Sequence, residues 1–297
     1  MSGLLQLHLG VLLLGGAGLF AKLIDLPALD MIGYRGFLSA AFLALVLYFG
    51  KHSLKITSLR DLGIALLVGS LAAVHWVTYF YAIQVTTVAT AMLALFTYPM
   101  MTVFIEPIFR RTLPDKKDVL LGLAVLLGVA MLFPDLWFGE SQLSDEYLIG
   151  VGAGLLSALC FALRNVLVQH KFGHYNGGQS MFFQFLITGL LLLPFISVPA
   201  TDLTADSIWK LVLFSVVFSA CAHALFVSAI GHTGAKTAAL VACLQPVYGI
   251  CFAFLILAEA PALATIGGGS IILAAAMYET VSSKKSSKNA QSTVSNK

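Results

Sequence analysis

Charge is what this sequence most conspicuously has little of. Only 10% of its 297 residues are Asp, Glu, Lys or Arg, while 59% are hydrophobic and the mean hydropathy is +0.93. Soluble globular chains carry about 25% charged residues, so water is excluded as the main solvent of this one. Cysteine is sparse as well: Cys160, Cys221, Cys243 and Cys251 all fall inside apolar runs, with no metal-ligand spacing and no external pair for a disulfide, which leaves packing as their role. There is no HExxH, no GxSxG and no pair of aspartates within an apolar run. The minimum chemistry of a metalloprotease, a serine hydrolase or an aspartyl enzyme is therefore missing. A substantial soluble domain, which a membrane receptor or scaffold would need, is missing too.

What the chain has instead is a regular succession of long apolar segments, near 3–24, 27–50, 59–84, 86–109, 116–135, 147–171, 178–199, 207–230, 235–258 and 262–282. Each is about 20 residues long, which at about 1.5 Å per residue crosses about 30 Å of hydrocarbon. A helix satisfies its own backbone in lipid, and the alternating ten-residue strands of a membrane barrel are absent. The pattern predicts an all-α membrane protein of ten transmembrane helices. The first segment lacks a basic leader and is followed directly by more spans, so it reads as a retained span rather than a cleaved signal.

Lysine and arginine set the orientation. One side collects Lys51, Lys55, Arg60, Arg110, Arg111, Lys116, Lys117, Lys171, Lys236, Lys284, Lys285, Lys288 and Lys297, and the other has Lys22 and Lys210. Positive residues near span ends stay in the cytoplasm, so both termini are expected there. The net charge of +3 is a topology signal rather than a nucleic-acid-binding face. Residues 136–146, with Glu140, Asp145 and Glu146 and no basic residue, form an external connector between halves 1–135 and 147–282. The Ser-, Lys- and Asn-rich stretch 283–297 is expected to be a disordered cytoplasmic tail with weak attraction to anionic lipid.

The halves repeat. ATAMLALFTYPMMTV from Ala89 aligns with KTAALVACLQPVYGI from Lys236 at a shift of about 147, which also places Ala82-Ile83 on Ala229-Ile230, Pro99 on Pro246, Pro114 on Pro261 and Gly122 on Gly269. Five spans per half make the second copy enter the membrane the other way round, an inverted repeat able to open first one side and then the other.

These residues resemble the drug/metabolite transporter superfamily and, within it, the EamA family of ten-helix carriers. The resemblance covers about residues 3–282 and rests on the two five-span halves, the stretch FTYPMMTVFIEPIFRRTLP after Leu95 and its partner LQPVYGICFAFLILAEAPAL after Cys243. It implies a secondary transporter of small metabolites working by alternating access in the bacterial inner membrane, as an exporter of amino-acid-like solutes. Related branches carry nucleotide sugars or sugar phosphates, which is the alternative substrate class; a non-transporting receptor or intramembrane enzyme is the alternative of another kind. No cofactor or metal is expected. The expected partners are a small-molecule solute and membrane lipid, no nucleic acid, with the chain a monomer or homodimer. The acidic residues after the two proline stretches differ in depth: Glu106 precedes Arg110-Arg111 by one turn, whereas Glu259 ends the ninth span.

Polar residues inside spans are costly and usually face protein or a wet cavity, so they are the candidate pathway residues. Arg35 and Arg164 offer planar guanidiniums to a carboxylate-like anion, although each also lies about two turns from a span end, where a long stem snorkels. His75 and His223 suit either solute contact with proton coupling or hydrogen-bonded packing. Trp76, Tyr79 and Phe80 extend the His75 stretch as a pathway wall, or as packing and an aromatic belt. Tyr98 and Gln245 flank Pro99 and Pro246, whose missing amide protons allow kinks at a gate or simply in packing. Glu106 is a protonatable candidate, with an i+4 ion pair to Arg110 as its structural role. Gly15, Gly16, Gly18 and Gly267–Gly269 lack the strand and the GKS or GKT of a phosphate loop and read as close helix contacts. Spans one to four and six to nine are expected to line a central cavity, with five and ten supporting them.

Overall fold

The computed structural model describes residues 2–110, 116–131, 144–233, 241–275 and 277–278, and all regular structure among them is helical. Seven helical stretches are long and apolar enough to cross a membrane: α1 (Gly3–Leu23), α2 (Ala28–Phe49), α3 (Leu59–Val85), α4 (Val88–Ile105), α6 (Asp145–Lys171), α7 (Gly177–Phe195) and α8 (Ala205–Ala229). Three shorter helices complete the described chain, α5 (Lys116–Ala130), α9 (Gln245–Leu257) and α10 (Leu263–Ala275). The connector up to residue 143 and the 283–297 tail lie outside the described residues.

Helix starts follow local chemistry. Ser2, Ser58, Thr87, Ser144 and Thr204 each accept a first-turn amide with the side-chain oxygen, and Asn176 with Gln179 forms a reciprocal capping box at α7. In hydrocarbon or at its border an unpaired amide costs several kcal/mol in principle, so these small polar residues set where helices begin. Helix ends depart from the apolar pattern where proline intervenes. Residues 178–199 read as one continuous span, but α7 tightens into a 3-10 turn over Leu193–Phe195, with Pro194 inside it, and the chain leaves the helix. The released segment is caught by the buried Asp30 carboxylate, which accepts from the Ser197 amide at 2.6 Å and the Val198 amide at 2.8 Å.

α4 and α9 are interrupted alike. In α4, Val88–Leu95 gives way to a turn at Phe96-Thr97 before Tyr98–Arg110; before α9 the chain turns at Cys243-Leu244. Pro99 and Pro246 thus fall in the first turn of a new helical segment, where a missing amide proton costs little. The sequence expectation placed them within continuous helices; the preceding turns make the difference. α8 carries a π segment over Val216–Cys221.

α3 packs along α6, and α1 along α8; α2 crosses α7, and α4 meets α9. Under the 147-residue shift the first two pairs exchange with each other and the last two map onto themselves. Backbones approach closely where glycine allows. A Cβ at Gly36 would lie 2.7 Å from the Gly189 amide nitrogen, and one at Gly15 would lie 2.9 Å from the Gln245 carbonyl oxygen.

The two ends of the bundle are tied differently. At one end Lys22 Nζ donates to the Thr86 carbonyl at 3.0 Å and the Gln84 carbonyl at 3.2 Å and lies 3.9 Å from Glu259, whose other oxygen accepts from the Val88 amide. Ala258, in the left-handed region at φ 54°, ends α9 and turns the chain toward that contact. Thr90 and Tyr147 are hydrogen-bonded at this end, so α6 begins where α1 finishes. At the other end Asp61 accepts from Thr57 Oγ1 at 2.7 Å and lies 3.4 Å from His174.

Candidate functional site

Between the helices lies a cavity of about 370 Å³, at the small end of the roughly 300–1,000 Å³ typical of ligand pockets. Residues of α1 to α4 and of α6 to α9 face it, and no residue of α5 or α10 is among the described ones that do. Arg35, His75, Trp76, Tyr79, Tyr98, Arg164, His223 and Gln245, singled out from sequence on six different spans, all line it. Many of the wall residues pair at the repeat shift: Ala17 with Arg164, Trp76 with His223, Tyr79 with Phe226, Phe80 with Val227 and Tyr98 with Gln245. The side chain of Glu106 lies outside the described residues.

Arg35 is only 3% exposed, so its charge does not snorkel to water. Its Nε donates to Ser219 Oγ at 2.8 Å, and its guanidinium carbon lies 4.4 Å from the Trp76 ring centre and 5.0 Å from those of Phe185 and Phe214. Arg164, 7% exposed, donates from Nη2 to Asn165 Oδ1 at 3.0 Å and lies 4.4 Å from the Phe161 ring centre. Aromatic faces attract a guanidinium, more strongly where water is excluded, yet they do not neutralise it. The Nη1 atom of each arginine is buried without a hydrogen-bond partner.

The histidines are held in a defined tautomer. His75 Nδ1 lies 2.7 Å from Ser157 Oγ and 3.2 Å from the Ser157 carbonyl oxygen, while Ser157 Oγ donates its proton back to the His75 carbonyl. A carbonyl only accepts, so Nδ1 carries the proton and Nε2 is left as an acceptor. His223 reaches the same tautomer within its own helix, its Nδ1 donating to the Ser219 carbonyl at 2.8 Å in the π segment of α8. Tyr79 stacks toward His75 with ring centres 6.4 Å apart, and its buried hydroxyl has no partner. Tyr98 meets Phe161 edge-on at 4.6 Å. Gln245 Nε2 reaches the Leu14 carbonyl of α1 at 3.5 Å.

Ser157, Ser219, Asn165, Phe185 and Phe214 were not singled out from sequence. Ser219 had one local signal, its position four residues before His223 on the same helix face. Asn165 adjoins Arg164 in the sequence, whereas Ser157, Phe185 and Phe214 come from helices far along the chain from the groups they meet.

Long apolar helices packed around a solute-sized cavity whose few polar groups converge define a multi-pass membrane transporter. The chain belongs to the EamA-like transporter family, which matches residues 1–133 and 148–278. It is therefore a transporter and not an enzyme. It is 24% identical over 254 residues to the pseudopaline exporter CntI of Pseudomonas aeruginosa, covering 84% of this chain and 85% of that protein. It is 26% identical over 237 residues to an uncharacterized transporter of Clostridium kluyveri, covering 78% and 76%. A crystal structure of a protein 14% identical in sequence has the same fold at a TM-score of 0.63, covering 95% of this chain and 98% of that one.

Proposed function

We propose that this chain is a secondary transporter that exports small amino-acid-like metabolites across the bacterial inner membrane by alternating access. The observation that carries this reading is the central cavity, whose walls come from both halves at positions about 147 residues apart. Each half contributes five spans in this reading, 1–135 and 147–282, in opposite orientation and with both termini cytoplasmic. The exchange of packing partners and the opposite courses of α1 and α6 support it. The relative named for pseudopaline export supports the outward direction. The small volume favours a compact metabolite over a nucleotide sugar.

His75 and His223 are the proposed proton-coupling residues beside Glu106, and Pro99 and Pro246 mark the proposed gating turns. A metabolite comparison between cells overproducing and lacking the protein identifies the solute, and flux in proteoliposomes with and without a pH gradient tests transport and coupling. At matched protein level, His75→Ala and Gln245→Leu are expected to lower that flux several-fold, and Cys160→Ala to leave it near the parent value. Unaltered flux in both cavity variants rejects this pathway. For the topology, single cysteines at Ser141 and Ser286 are expected to react with an impermeant thiol reagent from opposite sides; labelling from one side rejects the arrangement.

A further inference from the structure

The cavity contains more positive charge than its surroundings answer. Arg35 and Arg164 are both buried, neither takes part in an ion pair among the described residues, and no carboxylate is among the described residues lining the cavity. Their partners are one serine, one asparagine and aromatic faces, all neutral. Burying an uncompensated charge costs several kcal/mol, and each guanidinium still has one nitrogen without an acceptor. A fold that keeps two such charges in a solute-sized cavity is arranged for counterions that arrive with the solute.

The two charges also rest on different rings. Arg35 sits against Trp76, Phe185 and Phe214, whereas Arg164 sits against Phe161. The His75 ring lies between these settings, 6.1 Å from Trp76 and 4.7 Å from Phe161, centre to centre. Separate aromatic seats suit two distinct anionic groups better than one phosphate clamped by both arginines. A planar carboxylate matches the guanidinium fork, with two parallel hydrogen bonds. The Nε2 acceptors of His75 and His223 then call for a donor, an ammonium or hydroxyl, on the same solute.

We infer that the transported solute is a small dicarboxylate carrying a hydrogen-bond donor, one carboxylate seated on Arg35 and the other on Arg164. This inference rests on the transport reading above and narrows its substrate class.

The test uses the purified full-length protein, by thermal stabilisation in detergent and by counterflow in proteoliposomes. The probes are L-aspartate, L-glutamate, L-malate and L-α-aminoadipate, set against L-asparagine, L-glutamine and glucose 6-phosphate. At least one dicarboxylate is expected to stabilise the protein and to exchange, with its neutral amide counterpart at least tenfold weaker. Arg35→Gln and Arg164→Gln are each expected to weaken dicarboxylate binding tenfold or more, and Arg35→Lys to retain part of it. The acid-against-amide comparison on the parent protein decides the matter even if an arginine variant fails to fold. Amides that bind and exchange as well as the acids overturn the inference while leaving the transporter reading intact. So does preference for the sugar phosphate, which indicates a single-anion clamp. Absence of stabilisation by every dicarboxylate overturns it as well. Stabilisation by a dicarboxylate without counterflow upholds the binding chemistry and rejects the transporter reading.

Discussion

Replacing Gly36 with leucine is expected to abolish recovery of folded protein, because the position has no room that a side-chain movement can create. A Cβ there would lie 2.7 and 2.8 Å from the Gly189 amide nitrogen and Cα and 2.9 Å from the Phe185 carbonyl oxygen. All three are backbone atoms of α7, so relief requires separating α2 from α7. That separation would pull Arg35 off the Phe185 ring. Overpacking a core costs about 1–3 kcal/mol even where side chains yield, and small residues are what let membrane helices approach. Gly36→Ala is expected to reduce the yield, and Gly36→Leu to remove it. Gly152 on α6 is the control, since a Cβ there meets nothing within 4 Å. The readout is the monodisperse fraction after detergent extraction; equal recovery of Gly36→Leu and Gly152→Leu refutes the close-contact argument.

A reversible tether across the Lys22 end of the bundle is expected to stop transport almost completely. Lys22 joins the end of α1 to the end of α3 and to Glu259 after α9, while Glu259 also holds the start of α4 through the Val88 amide. Under alternating access this tied end has to separate for passage on that side. Its ion pair is partly exposed, and such pairs contribute about 0–1 kcal/mol, little enough to break on each cycle. With Cys160, Cys221, Cys243 and Cys251 replaced, Lys22→Cys and Glu259→Cys bridged by a disulfide-forming bifunctional reagent are expected to give flux near background. Reductant should restore the flux of the untethered double variant. Undiminished flux at complete bridging would show that this end does not open, and alternating access through it would fall.

Several features were legible in the sequence because they depend on near neighbours. Apolar runs of helical length, with a serine or threonine before them, set where α1, α3, α6 and α8 begin, since hydrocarbon leaves a backbone little choice but to pair with itself. The repeat shift singled out Tyr98 and Gln245 together, and the cost of polar atoms in lipid singled out Arg35, His75, Arg164 and His223. All six line one cavity. The distant partners of those groups were not legible. Arg35 takes its aromatic seat from Phe185 and Phe214, about 150 and 180 positions away, and Ser157 orients His75 from 82 positions away. The π segment of α8 and the turns before Tyr98 and Gln245 were equally invisible, because periodicity sees a helix and not where neighbouring helices interrupt it.

By itself, then, the sequence determined that the chain is helical, lives in lipid and brings a few costly polar groups into its spans, because those properties follow from composition, run length and the local needs of the backbone. The tertiary structure alone decided that the two guanidiniums sit buried on neutral partners and that the histidines present Nε2 as acceptors. The seats of Arg35 and His75 depend on contacts between residues far apart in the chain, and the roles of Asn165 and Ser219, though near neighbours of Arg164 and His223, depend on which way the packed helices turn those side chains.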